Sequence, residues 1–359
     1  MILGVSIGII LICFIMKRSK LCGGFLAVWL WILFAWSYGN ADYFNYEYKY
    51  NNIGNLNTSF ELLYVNTQKL ANSLGLDYKA YLLIVASCFI VAALWYTRKN
   101  TRNWPYVLSL YAIYPFMMDV IQVRNSMALI FIWVGIDALV NYESKREIIR
   151  FCICIVVATL FHTAAFLCFV LLIPVFFNRR KVIMITTIVD VTGFIATRFL
   201  GGIINRTLIL LKMTSRFDIS SSSVFNIETR KIVIILLLFV TYELGILFIK
   251  KSRTMHERID ISQLEIIEKI NIIMLITLPL TGFASDVYRL MGGLALVNYT
   301  LWANALASEG SIYIIEKREL LFRLYSVVAS FLNIYILVLS STNINTVFYP
   351  LIQNNMLLK

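Results

Sequence analysis

Gln122-x-Arg124 and Phe161-His162-Thr163 are the stretches of this chain whose residue types could do chemistry. The first opens an apolar run over residues 121–141, and the second lies midway along a 30-residue apolar stretch, 148–177. An Arg at the centre of a membrane helix costs about 2.5–3.5 kcal/mol on insertion scales, so ionisable groups in such surroundings are candidates for function. A guanidinium offers a planar fork of donors suited to phosphate oxygens. A neutral imidazole is the side chain readiest to take up a proton near pH 7. If Gln122, Arg124 and His162 reach the same membrane face, an anion-binding group and a base share one site.

Plainer readings stand beside these. An arginine at a span end snorkels to the interface or pairs with an acid, here Asp119, Asp218 or Asp286. A lone histidine in an apolar stretch ordinarily packs or hydrogen-bonds between helices; the other histidine, His256, reads as solvent-facing. Glu61 reads as the acid of a capping box, Thr58-x-x-Glu61. Asp42 and Tyr46 lie in a polar loop where no structural duty accounts for them.

The elements that must position these residues follow from composition. Of 359 residues, 60% are hydrophobic and 14% charged, and the mean hydropathy is +0.77. Those values describe an all-α, polytopic integral membrane protein rather than a soluble one. Apolar segments at about 2–16, 21–38, 80–96, 104–118, 121–141, 148–161, 163–177, 182–199, 231–249, 270–287, 290–307 and 324–341 give about twelve spans, some short or broken. The whole chain, 1–359, reads as a single transmembrane domain. The apolar run at 2–16 precedes its charges, so it is expected to be a first span with its N-terminus outside, not a signal peptide.

The net charge of +12 does not point to nucleic acid, because the basic residues are dispersed in short clusters between spans. Lys17/Arg18/Lys20, Arg98/Lys99/Arg102, Lys145/Arg146/Arg150, Arg179/Arg180/Lys181, Lys250 through Lys269 and Lys317/Arg318/Arg323 all fall on one side if the spans alternate. They hold most of the 32 Lys and Arg, which makes that side cytoplasmic. Basic clusters flank both ends of 148–177, so this stretch is expected to be a hairpin of two short, broken helices with His162 near the outer face.

Two outer segments are long enough to carry structure. Residues 39–79 are rich in Tyr and Asn and end in an amphipathic pattern at about 58–75, expected to be a helix on the membrane surface. Residues 200–230 read as a mobile loop with one short apolar piece. The outer face, which should be poor in Lys and Arg, still carries Arg124, Arg198, Arg206, Lys212, Arg216 and Arg289. Phosphate binding accounts for that excess.

Several chemistries drop out. The chain has no G-x-x-x-x-G-K-[ST] loop for ATP, no D-x-D pair for a metal-bound nucleotide sugar, and no G-x-S-x-G or H-E-x-x-H motif. Its six cysteines have no metal or disulfide spacing. No metal or cofactor is expected.

Asp42-x-x-x-Tyr46, the segment with Phe60, Gln122-x-Arg124-x-x-Met-Ala128, Leu160-Phe161-His162-Thr163-Ala164-Ala165, a late Arg289 before a span, and Tyr349-Pro350 together resemble the EpsG-type, Wzy-like family of bacterial polysaccharide polymerases. The resemblance implies a GT-C-like glycosyltransferase of the bacterial inner membrane. Such enzymes join undecaprenyl-pyrophosphate-linked oligosaccharide repeat units at the outer face, building capsule, exopolysaccharide or O-antigen. The lipid-linked glycan, as donor and acceptor, and the bilayer are then its partners, with a chain-length regulator protein as a further one. Arg124, Arg289 and Arg216 would stabilise the pyrophosphate, His162 or Asp42 would be the base, and Tyr46 and Gln122 would contact the glycan. Aromatic and amide residues in 43–55 would hold sugar rings. The competing classes are a ligase using the same donor, a lipid-linked glycan flippase or transporter, and a membrane O-acyltransferase.

Overall fold

Residues 1–53, 60–210, 229–282, 287–306, 317–339 and 343–358 are described by a computed structural model. Every element among them is helical and none is a strand, as the hydropathy pattern predicts. α1 (Ile2–Ile15) and α2 (Lys20–Ala35) run antiparallel, tied by Trp29 Nε1 donating to Ser6 Oγ at 2.9 Å. α3 (Tyr43–Asn51) and α4 (Leu62–Ser73) fill the segment that follows. Gly75, at φ +75°, closes α4 in a left-handed conformation that a side chain would resist. Asp77 then caps α5 (Tyr78–Asn100) by accepting from the Ala80 N–H.

Pro115 ends α6 (Trp104–Ile113), because a proline ring disfavours helix at the residue before it and Tyr114 is extended. The chain restarts as α7 (Phe116–Ile121), breaks at Gln122, and continues as α8 (Val123–Val140). A capping box of Ser144 and Glu147 starts α9 (Lys145–Phe161). Past His162 come a 3-10 stretch, Thr163–Leu172, and α10 (Ile173–Phe176). α11 (Arg179–Leu210), α12 (Thr229–Lys251), α13 (Arg253–His256) and α14 (Ile261–Ile273) follow. Two 3-10 turns then lead to α15 (Tyr288–Gly293), α16 (Ala295–Asn304) and α17 (Lys317–Ile334). π-helical turns at Tyr335–Leu339 and Ile344–Phe348 precede α18 (Tyr349–Gln353).

The 148–177 stretch is a hairpin. The rings of Phe151 and Phe169 lie 6.4 Å apart, where a straight helix would hold them about 27 Å apart. Both ends of the hairpin meet α14. Gln263 Nε2 donates to Asn141 Oδ1 at 3.2 Å just before α9, and Lys269 Nζ donates to the Pro174 carbonyl at 2.6 Å at the other end. The turn between them is His162.

α5, α8, α12 and Lys317–Leu339 are long and apolar enough to cross a membrane; α1, α2, α6 and Thr163–Phe176 are apolar but shorter. Large apolar side chains stay exposed in stripes, such as Leu21, Phe25 and Val28 on α2 and Ile149, Ile153 and Val156 on α9. Water does not tolerate apolar surface on that scale, and a lipid environment does. The chain is therefore a membrane protein.

The surface helix expected over about 58–75 is α4, Leu62–Ser73, with residues 54–59 outside the described residues. The second outer segment needs correcting. The 200–230 loop is helical as far as Leu210, since α11 carries its apolar pattern straight through; residues 211–228 lie outside the described residues.

The basic clusters do gather at one end, and buried acids collect them. Glu319, 3% exposed, accepts from Lys17, Arg258 and Arg323 at 3.4, 3.1 and 2.7 Å. Glu268 takes Arg179 and Lys250 at 3.1 and 2.7 Å, and Asp137 takes Lys99 at 2.5 Å. Ion pairs this dry hold only because each acid has several donors. Gln122, Arg124 and His162 lie toward the opposite end.

Candidate active site

The break between α7 and α8 builds the site. Gln122 (φ −95°, ψ 65°) ends one helix and starts the next without capping either with its side chain. Ser126, one turn into α8, donates its hydroxyl back to the Asp119 carbonyl and pins the break. Arg124 leaves this corner toward the outer segment and is held there on several sides. Its Nη1 lies 2.9 Å from Glu61 Oε2, its Nε donates to Tyr46 Oη at 3.4 Å, and its guanidinium sits 4.4 Å over the Phe60 ring. The Lys49 ammonium lies 3.9 Å from the same ring, so Phe60 serves two cations.

Glu61 joins this corner to the hairpin tip. Its second oxygen, Oε1, accepts from the Thr163 N–H at 3.0 Å and from the Thr163 hydroxyl at 3.1 Å. His162 Nδ1 lies 3.6 Å from the same oxygen, just beyond an ordinary hydrogen bond. Burial alone would push the Glu61 carboxyl up. His162, the Arg124 charge and the Thr163 N–H together outweigh it and hold the acid well below the usual carboxylate range. Glu61 was expected to be a local capping acid; its partners lie far away in sequence, which no local pattern reveals. His162 is 7% exposed, and neither ring nitrogen has a hydrogen-bond partner.

Gln122 and Asn125, on either side of Arg124 in sequence, line a shallow cleft together with Asp119, Tyr288, Arg289 and Leu337, among others. α15 carries Arg289 to it, and Gly292 allows the approach: a Cβ there would lie 2.8 Å from Tyr114 Oη. The charges of both Arg124 and Arg289 reach the Tyr46 phenol, opposing the burial that raises its pKa. Both guanidinium charges therefore act on the same phenol, and Arg289 alone of the two lines the cleft. The open first turn of α8 adds the positive end of a helix dipole there.

The remaining expected residues are placed less centrally. Asp42 is half-buried at the start of α3, one turn before Tyr46, and its charge reaches the Tyr46 phenol. It does not line the cleft. Arg216 and Asp286 lie outside the described residues. Asp119 does not pair with Arg124, which goes to Glu61 instead; its carboxylate accepts from Tyr111 Oη at 2.5 Å. The tyrosines expected to stack on sugars are largely core. Tyr43, Tyr46 and Tyr50 are 5% exposed or less and pack on Tyr78, Phe60, Tyr64 and Tyr81, while Phe44 and Tyr48 stay exposed. Asn125 and Tyr288 were missed. Asn125 lay within the quoted Arg124 motif, and Tyr288 was adjacent to Arg289.

No curated protein and no solved structure matches the chain. A profile of the EpsG family does match, over residues 20–352, a span that takes in the whole site, and the chain belongs to that family of Wzy-like polysaccharide polymerases.

Proposed function

We propose that the protein polymerises undecaprenyl-pyrophosphate-linked oligosaccharide repeat units at the outer face of the bacterial inner membrane. Family membership supports the polysaccharide-polymerase role; Arg289 in the cleft wall, with Arg124 between the cleft residues Gln122 and Asn125, supports a pyrophosphate donor. In this reading the chain has about twelve spans in a GT-C-like arrangement, and its acid-bound basic end faces the cytoplasm.

The acceptor hydroxyl oxygen attacks the anomeric carbon of the donor. The bond from that carbon to the pyrophosphate oxygen breaks, and lipid pyrophosphate leaves with the electron pair. Displacement in one step inverts the anomeric configuration. Arg124 and Arg289, with Arg216, stabilise the charge on the leaving group, so no metal is required for that purpose. The hydroxyl proton passes to His162. Glu61 faces Nδ1, which would leave Nε2 as the accepting nitrogen. Asp42 is the other candidate for the base. Gln122 contacts the glycan, and Tyr46 holds Arg124.

The test is a gel of lipid-linked and surface glycans from a deletion strain. Single repeat units with no long chains are expected. Persistent long polymer would sink the proposal, and single units trapped at the inner leaflet would favour a flippase.

A further inference from the structure

The cleft holds more hydrogen-bonding capacity than its walls use. Asp119 is 4% exposed; one carboxylate oxygen takes the Tyr111 hydroxyl, and no hydrogen bond reaches the other. Gln122, 3% exposed, makes no side-chain capping hydrogen bond, and it lines the same cleft. Asn125 is also 3% exposed, and its Oδ1 is buried without a partner. Buried polar atoms are nearly always paired, and leaving one unpaired costs about 1–3 kcal/mol. Asn125 Oδ1 is such an atom, and with Asp119 and Gln122 on the same wall of the cleft it calls for a ligand that pairs it.

Their chemistry says which kind. The residues recur every third position, 119, 122 and 125, across the α7–α8 break and line the same cleft. All three end in planar groups with two polar atoms. That geometry suits neighbouring hydroxyls, each of which can donate and accept. Half-buried Tyr288 supplies an aromatic ring at the same cleft, an apolar surface for the carbon face of a sugar. Arg289 lies next to it, where an anion would end the ligand. A bare phosphate would need donors, and the acceptor-only carboxylate of Asp119 would repel it.

We propose that Asp119, Gln122 and Asn125, with Tyr288, form a hydroxyl-binding subsite for one sugar ring, the ring attached to the donor pyrophosphate. Its assignment to the donor rests on the polymerase reading; the sugar-binding chemistry does not. Tyr111 is a positioning residue that fixes the Asp119 carboxylate.

The experiment uses purified full-length protein in nanodiscs and two probes. Saturation-transfer NMR follows a panel of methyl hexosides and methyl N-acetylhexosaminides, and a separate binding assay follows undecaprenyl pyrophosphate without sugar. Wild type should bind at least one glycoside. Asp119→Asn and Asn125→Ser should weaken it about tenfold or more while undecaprenyl pyrophosphate binding stays unchanged. Arg289→Ala should do the reverse. Thermal unfolding checks that each variant is folded, and Gln122→Glu, which keeps the shape, is a second variant expected to alter which glycoside is preferred. No glycoside binding by wild type, or binding indifferent to the Asp119, Gln122 and Asn125 substitutions, overturns the subsite. Glycoside binding that depends on these residues in a protein whose deletion leaves long polymer intact would keep the subsite and overturn the polymerase reading.

Discussion

The forked, planar geometry of arginine governs what its substitution does at this site. Arg124 spends its fork on Glu61 and Tyr46 and its face on Phe60. A lysine has a point charge on a flexible stem and cannot reproduce those contacts. Arg124→Lys and Arg289→Lys should therefore stay impaired, each losing on the order of 10²–10³ in polymerisation rate, the usual cost of one oxyanion-stabilising contact. Single-turnover assays with lipid-linked repeat units would show it, and near wild-type rates for both would refute the charge-clamp role. His162 tests a second distinction. If it is the base, His162→Gln should abolish polymer yet leave substrate binding largely intact, because a base acts in the transition state. If it only fills the hairpin turn, His162→Gln should restore function at wild-type stability. Purified variants assayed for both unfolding and polymerisation separate these outcomes.

At the scale of elements, the helices owe their contacts to small residues at crossings. Gly245 on α12 faces Trp302 of α16, and a Cβ there would lie 2.5 Å from the indole. Trp302 is fully buried among Tyr242, Tyr299, Phe322 and Tyr325 and has no room to yield. Alanine favours a helix by about 1 kcal/mol over glycine, but overpacking costs about 1–3 kcal/mol. The clash should win, so Gly245→Ala should lower the thermal midpoint in detergent. Gly24→Ala, with nothing within 4 Å, should leave it unchanged or raise it. The all-helical character and the long apolar helices were legible from hydropathy, because lipid solvation demands apolar helices of set length. The His162 hairpin was legible from charge, because two basic clusters cannot flank one span on the same side. What local pattern could not supply was the partner of Glu61, nor which tyrosines are buried, since aromatic count says nothing about depth. The site was legible as far as the residues that break composition: an Arg and a His in apolar runs. Asn125 and Asp119 stayed hidden, because an amide or acid at a helix end reads as a cap or a pairing partner until the cleft beside it is seen.

The whole molecule has two polar ends built on different plans. At the basic end, Glu319 and Glu268 each neutralise cations from separate segments, Asp137 takes Lys99, and together they tie the bundle. At the other end Glu61 connects the outer segment, the start of α8 and the hairpin tip in one carboxylate. That economy makes the far end proton-linked. Glu61 is more acidic in the folded protein than its usual value of about 4.5, so its contribution to stability is full above that value. It is lost progressively as pH falls below it, and a proton reaching this carboxylate weakens the hold on Arg124 and Thr163 at once. Hydrogen exchange near residues 61–73 should rise on acidification in wild type, whereas Glu61→Gln should show raised exchange already at neutral pH and little further change. A single protonation would thus loosen the outer segment's grip on α8 and the hairpin tip before the basic end, with its several shared acids, begins to loosen.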